Sequence, residues 1–264
     1  MHNGIQRIGH HFSAGKAFVG YLTAGDGGIK RTLDAALALI AGGVNMLELG
    51  VPFSDPIADG PVIQRAAARS LALGTTLEDI LWLTSEIRKK SDIPLILFSY
   101  CNPILAVSTG TFFQEASQAG IDGLLIVDCP LESSTVFQQH CLAHEIAPIY
   151  VIAPNTPAER LQAIDQQGRG FLYYACRKGT TGMRAELPAD FNEKMAFIRA
   201  NTHLPVITGF GISTRETAKK VLEQADGVVI GSLFVKALEE GMPPEELTQL
   251  VLSLNPFNNS GLAR

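Results

Sequence analysis

Long apolar runs are missing from this chain of 264 residues. The longest, Ala35 to Val44, is about half of the roughly 20 residues that a membrane span requires, so no spanning helix is expected. The N-terminal stretch MHNGIQRIGHHFSAGK has no apolar h-region, and no signal peptide is expected there. Cysteine is sparse: Cys101, Cys129, Cys141 and Cys176 are scattered without a C-x-x-C pair. That excludes a disulfide framework and a thiolate zinc site, and it fits reduced thiols in the cytoplasm. Basic charge is in deficit, and a net charge of −5 disfavours nucleic acid, whose phosphates need a basic face. The six histidines do not align with acidic residues at strand ends, so no metal is expected.

What is present is a globular composition, 46% hydrophobic and 18% charged, in a chain long enough for one large core. Short apolar runs recur between helical segments. KAFVGYLTAG (16–25), VNMLELG (44–50), IPLILFSY (93–100), IDGLLIVD (121–128), APIYVIAP (147–154), GFLYYA (170–175), LPVITGFG (204–211) and ADGVVIGS (225–232) make eight. Most are nearly continuous, as parallel strands covered on both faces should be. The intervals carry apolar residues at helical spacing, such as Leu33, Leu37 and Ile40, or Leu77, Ile80, Leu81 and Ile87 behind a Thr75 or Thr76 cap. Eight βα units without a linker predict a single α/β domain over 1–264, a (β/α)8 barrel, with a doubly wound open sheet as the competitor. Residues 1–15, with Ile5, Ile8 and Phe12 on one helical face, predict an extra N-terminal helix plugging the barrel. Residues 255–264 read as a frayed tail.

In such a barrel the working groups sit at the C-terminal ends of the strands. That rule gathers Thr23, Asp26, Glu48, Asp55, Asp59, Tyr100, Asn102, Asp128, Tyr173, Tyr174 and Arg177 at one mouth. Glu48 stands out, because Met46, Leu47 and Leu49 give it an apolar setting. Desolvation raises a carboxyl's pKa and makes it a usable proton shuttle near neutrality. A structural ion pair is the alternative for Glu48, and a turn-stabilising role is the alternative for Asp59. GFGIS (209–213), IGSLF (230–234) and KGTTG (178–182) put glycines after strands seven, eight and six. Close backbone approach and helix N-terminal amides there suit a phosphate, while tight turns would explain the same glycines. The residues alone thus predict a small phosphorylated substrate and acid–base carboxylates.

LELGVPFSDPIADGPVIQRA (47–66), with YLTAGD (21–26), SYCNPI (99–104), DGLLIVDCPLE (122–132), GFGIST (209–214) and ADGVVIGS (225–232), strongly resembles the tryptophan synthase alpha subunit family over the full length. The resemblance implies a TIM barrel that cleaves indole-3-glycerol phosphate by a retro-aldol reaction to indole and glyceraldehyde 3-phosphate. It implies no cofactor in this chain, and a PLP-dependent beta subunit as partner in an α2β2 complex. Glu48 and Asp59 then fall on the catalytic positions, and Tyr173 on the tyrosine that positions the glutamate. Gly182, Gly209, Gly211, Gly231 and Ser232 fall on phosphate-binding positions. Tyr21, Phe98, Tyr100, Leu125 and Val127 surround the indole, Arg177 and Thr181 belong to a lid, and Pro52, Asp55, Pro56, Asn102 and Pro103 face the beta subunit.

Three departures from the family pattern stand out. Gly27-Gly28 follow TAGD where proline is usual, which should loosen that loop. CRKGTTG puts Cys176 for Ser and Thr180 for Val in the lid, and Tyr21 stands where Phe is common. The altered lid motivates an alternative, a weakly catalytic barrel retained mainly to activate the beta subunit.

Overall fold

The computed structural model describes residues 3–107, 109–176, 187–209 and 211–258. Eight parallel strands close in sequence order: β1 (Ala17–Thr23), β2 (Met46–Gly50), β3 (Leu95–Ser99), β4 (Gly123–Ile126), β5 (Ala147–Ile152), β6 (Leu172–Tyr174), β7 (Val206–Thr208) and β8 (Gly227–Ile230). β8 pairs with β1 in parallel, Val228 opposite Phe18, so the sheet has no edge and the open-sheet alternative falls.

Alternation along each strand builds two apolar layers. Phe18, Leu22, Leu47, Leu49, Leu95 and Leu97 point outward against the helices. Val19, Met46, Ile96, Leu125, Ile149, Phe171, Ile207 and Val229 fill the interior. Both sets are buried, which is why the strands read as continuous apolar runs.

The predicted N-terminal helix spans Gly4–Ala14, with the Asn3 side chain accepting from Gln6 N at 2.9 Å as its cap. Ile8 is fully buried in the interior layer, with Ile5 and Phe12 packed beside it. Phe12 meets Phe171 edge-on at 5.8 Å. The carboxylate of Asp122, fully buried at this end, accepts from Arg7 at 2.5 Å, Arg88 at 2.6 Å and Leu95 N at 2.8 Å. Helix and ion cluster together close the barrel's N-terminal end.

Helix Leu77–Arg88 begins with a capping box, Thr76 with Asp79, which selects Thr76 of the two candidate caps. Helices Ile29–Ala41, Pro61–Ala72, Thr109–Ala119, Thr135–Ala143, Ala158–Gln167, Phe191–Arg199, Arg215–Gln224, Ser232–Glu239 and Pro244–Leu254 share the outer layer. The loop after β1 is tied down where the sequence suggests loosening. Gly27 and Gly28 take φ +75° and +103°, a left-handed turn that proline could not make. Gly28 N bonds Gly25 O at 2.9 Å, and Gly25 N bonds Thr32 Oγ1 at 3.0 Å. The start of the expected frayed tail is also held: Asn255 Nδ2 reaches Gly42 O at 3.4 Å, Phe257 N donates to Asn255 Oδ1 at 2.9 Å, and Pro256 is buried. Among the described residues no helix is long and apolar enough to cross a membrane.

Candidate active site

Glu48 points into the mouth from β2, with Tyr21 of β1 on one side and Ile96 of β3 on the other. Its exposure is 1%, and among the described residues Oε1 has no hydrogen-bond partner. Burial pushes its carboxyl up to about 8. The strand that mounts it is hydrogen-bonded on both sides, to β1 and β3.

Asp59 comes from the loop between β2 and helix Pro61–Ala72. Its backbone closes a turn, Asp59 N to Pro56 O at 3.0 Å, and Gln64 Nε2 donates to its carbonyl at 2.9 Å. The Tyr100 hydroxyl donates to Asp59 Oδ2 at 2.9 Å and accepts from Ala58 N at 3.1 Å. Burial pushes this carboxyl up and the Tyr100 bond pulls it back, leaving it at about 6. The Tyr100 ring is fixed against Phe53, centroids 5.1 Å apart.

Both carboxylates line one cavity of about 430 Å³, counting its open mouth. Tyr21, Phe98, Tyr173, Gly209, Gly211, Gly231 and Ser232 line it too. Tyr21 and Phe98 meet edge to face at 5.7 Å. The Tyr21 ring crosses the end of β2, where a Cβ on Gly50 would lie 2.1 Å from its hydroxyl oxygen, so glycine is required at position 50. The Tyr173 phenol is pushed well up, by burial first and then by the Glu48 charge. At the glycine-bearing side, Gly231 precedes helix Ser232–Glu239, and Ser232 is buried at its first position. Amides at such a helix start favour an anion.

Nine of the residues expected at the site therefore meet: Tyr21, Glu48, Asp59, Phe98, Tyr173, Gly209, Gly211, Gly231 and Ser232. Ile63 and Val229 also line the cavity and were not anticipated, because as single apolar residues they look like core. Tyr100 is not among the residues that line the cavity; its hydroxyl is spent on Asp59. Leu125, fully buried and paired with Phe98, and Val127, packed against the interior layer, are not among the residues that line the cavity. Asp26 and Asp128 do not enter it either. Arg69 clamps Asp26 at 2.7 and 2.8 Å, and Asp128 Oδ1 accepts from Cys101 N at 2.8 Å. Gly182, Arg177 and Thr181 lie outside the described residues.

Of the positions expected to face a partner, Asp55 and Asn102 are exposed, and Pro56 and Pro103 are half-buried. Pro52 is buried, because Val51 N continues the β2–β3 ladder to Phe98 O at 2.8 Å and draws the following residue inward. Ile57, 76% exposed, and Leu105, 56% exposed, add apolar surface on the same side of the mouth. Among the described residues no cluster of three or more histidine, cysteine or acidic side chains could hold a metal ion.

Comparison with known proteins places this arrangement. The family model described as "Tryptophan synthase alpha chain" matches residues 11–259. A tryptophan synthase alpha chain of Coxiella burnetii is 53% identical over 252 residues, covering 96% of this chain and 98% of its own. One of Chlamydia felis is 44% identical, with 96% and 99% covered. The crystal structure of tryptophan synthase subunit alpha from Legionella pneumophila superposes with a TM-score of 0.87 at 35% identity, covering 96% and 97%. A structure of the tryptophan synthase α2β2 complex from Pyrococcus furiosus matches with a TM-score of 0.84 at 38% identity, covering 90% and 97%. The chain belongs to the tryptophan synthase alpha chain family.

Proposed function

We propose that this chain, acting as one barrel domain, is the lyase subunit that cleaves indole-3-glycerol phosphate to indole and glyceraldehyde 3-phosphate. The observation that carries the reading is one cavity with two buried carboxyl groups in unlike settings at one side and a glycine-lined helix start at the other. The phosphate sits over Gly209, Gly211, Gly231 and Ser232, and the flat ring sits against Tyr21 and Phe98.

Indole is a poor carbanion leaving group, so C3 must gain a proton before the C–C bond breaks. Glu48, at about 8, carries its proton at neutral pH and donates it to C3. The resulting carboxylate then takes the proton of the side-chain hydroxyl as the bond to C3 breaks. The hydroxyl carbon becomes the aldehyde of glyceraldehyde 3-phosphate, and the bonding electrons restore the indole. Positive charge grows on the ring nitrogen meanwhile. Asp59, at about 6, is mostly ionised at neutral pH and meets that charge. Tyr173, wedged beside Gly209, limits how Glu48 can turn. No step draws on a cofactor of this chain.

The partner is a tryptophan synthase beta subunit, which would consume the indole and carry PLP. The exposed Asp55, Ile57, Asn102 and Leu105 beside the mouth support a contact there. Assaying purified protein with indole-3-glycerol phosphate, with and without beta subunit, tests the reading. Indole release is expected in both cases and faster with the partner; no release in either sinks the lyase assignment.

A further inference from the structure

Two of the four cysteines meet at a place the lyase reading leaves unused. β3 and β4 pair with Ser99 opposite Ile126, and Val127 N donates to Ser99 O at 2.9 Å. The loops leaving these strands stay together, because Asp128 Oδ1 accepts from Cys101 N at 2.8 Å. This brings the Cys101 and Cys129 side chains within hydrogen-bonding reach of each other. Both are half-buried, whereas Cys141 and Cys176 are buried. Cys101 follows Tyr100, the residue that holds Asp59, and opens the short helix Cys101–Leu105.

We propose that Cys101 and Cys129 are a redox-active dithiol that closes to an intramolecular disulfide and disturbs the Tyr100–Asp59 hydrogen bond. The oxidant class is a low-molecular-weight disulfide. One protein thiol loses its proton to solvent, and its thiolate attacks a sulfur of the reagent, expelling one small thiolate. The second protein thiol, deprotonated in turn, attacks the protein sulfur of the mixed disulfide and expels the second small thiolate. One S–S bond is made and the reagent's is broken; the protein pair is oxidised and the reagent reduced to two thiols. Burial, with Cys129 and Asp128 alongside, pushes the Cys101 thiol up to about 12, and burial raises Cys129 as well. Exchange is therefore slow, since the thiolate is the nucleophile. Bringing the two Cβ atoms to roughly 3.8 Å, as a disulfide requires, draws the start of the Cys101–Leu105 helix toward the β4 loop. Tyr100 is carried with it.

The activity effect rests on the lyase reading; the disulfide does not. The test incubates the intact chain with oxidised glutathione at mildly alkaline pH for hours, then maps peptides, counts free thiols and measures indole release. A peptide linking positions 101 and 129, two free thiols instead of four, and a turnover at about pH 6 reduced several-fold and restored by reductant are expected, because the weakened bond lets the Asp59 carboxyl rise. Cys129→Ser, treated identically, should keep its turnover. Absence of the linked peptide, or a linked peptide with turnover unchanged, overturns the proposal. Turnover of the reduced chain, measured first, separates failure of the lyase reading from failure of this one.

Discussion

The two ends of the barrel each bury a carboxylate, and they treat it in opposite ways. At the N-terminal end Asp122 is fully buried and receives Arg7, Arg88 and a backbone N–H. At the C-terminal end Glu48 is 1% exposed and its Oε1 has no partner. Burial is the same; compensation is not. A buried charge with all its partners ties elements together, while a buried carboxyl without them keeps its proton and stays available for chemistry. The lower end therefore spends its acid on holding the helix Gly4–Ala14 and the start of β3 in place. The upper end accepts a local cost in stability for a group that can move a proton.

Removing Asp122 should have the largest effect. Asp122→Ala strands two guanidinium groups, and loss of one partner of a buried pair costs about 3–5 kcal/mol. Arg7 keeps 28% of its side-chain exposure, so a value near 3 kcal/mol is expected, read from denaturant unfolding. Indole release per folded molecule should be retained well below the melting temperature. A collapse of activity without loss of stability would erase the distinction between the two ends.

Glu48→Gln should do the reverse, lowering turnover at least about 10²-fold while the fold holds. The pH dependence of stability sharpens this. Because the folded carboxyl titrates at about 8 against 4.5 when exposed, the native state binds the extra proton between those values. The wild type therefore loses stability as pH rises from about 4.5 to 8, and the variant lacks that loss. The melting temperature of Glu48→Gln should gain on wild type at pH 8 relative to pH 5. An equal difference at both pH values would mean Glu48 is not desolvated.

The smallest effect is expected at Tyr100→Phe. The phenol lowers the Asp59 carboxyl, so its loss lets that group rise above about 6. The acidic limb of the turnover profile should move to higher pH, with turnover near pH 8 changed least. A profile that stays where it was would remove Asp59 from the titration.

The strands, the plugging helix and Glu48 were legible in the sequence because each depends on local pattern. Continuous apolar runs, a helical stripe of Ile5, Ile8 and Phe12, and an acid between leucines are all visible without coordinates. Direction was harder. Asp26 lies at a strand end like Glu48, yet Arg69, 43 residues further along the chain, holds it in a bidentate pair away from the cavity. Tyr100 reads as a pocket aromatic, and only the fold shows its hydroxyl holding Asp59. Helix Pro61–Ala72 was obscured by the loop motif running into it, since Gly60 offers no side-chain cap and no acid stands in the first turn, leaving only the proline at its first position to mark the start. Ile63 and Val229 carry no chemistry of their own, so nothing in the sequence separates them from core.

The plug at the lower end also orders events in time. Gly4 N bonds Glu145 O at 3.0 Å, and Arg7 reaches Asp122, so this helix docks on chain made much later. At about 5–20 residues per second on the ribosome, it waits roughly 10–30 s for its seat. Ile5, Ile8 and Phe12 lack their native packing during that interval, so this helix gains from a temporary cover.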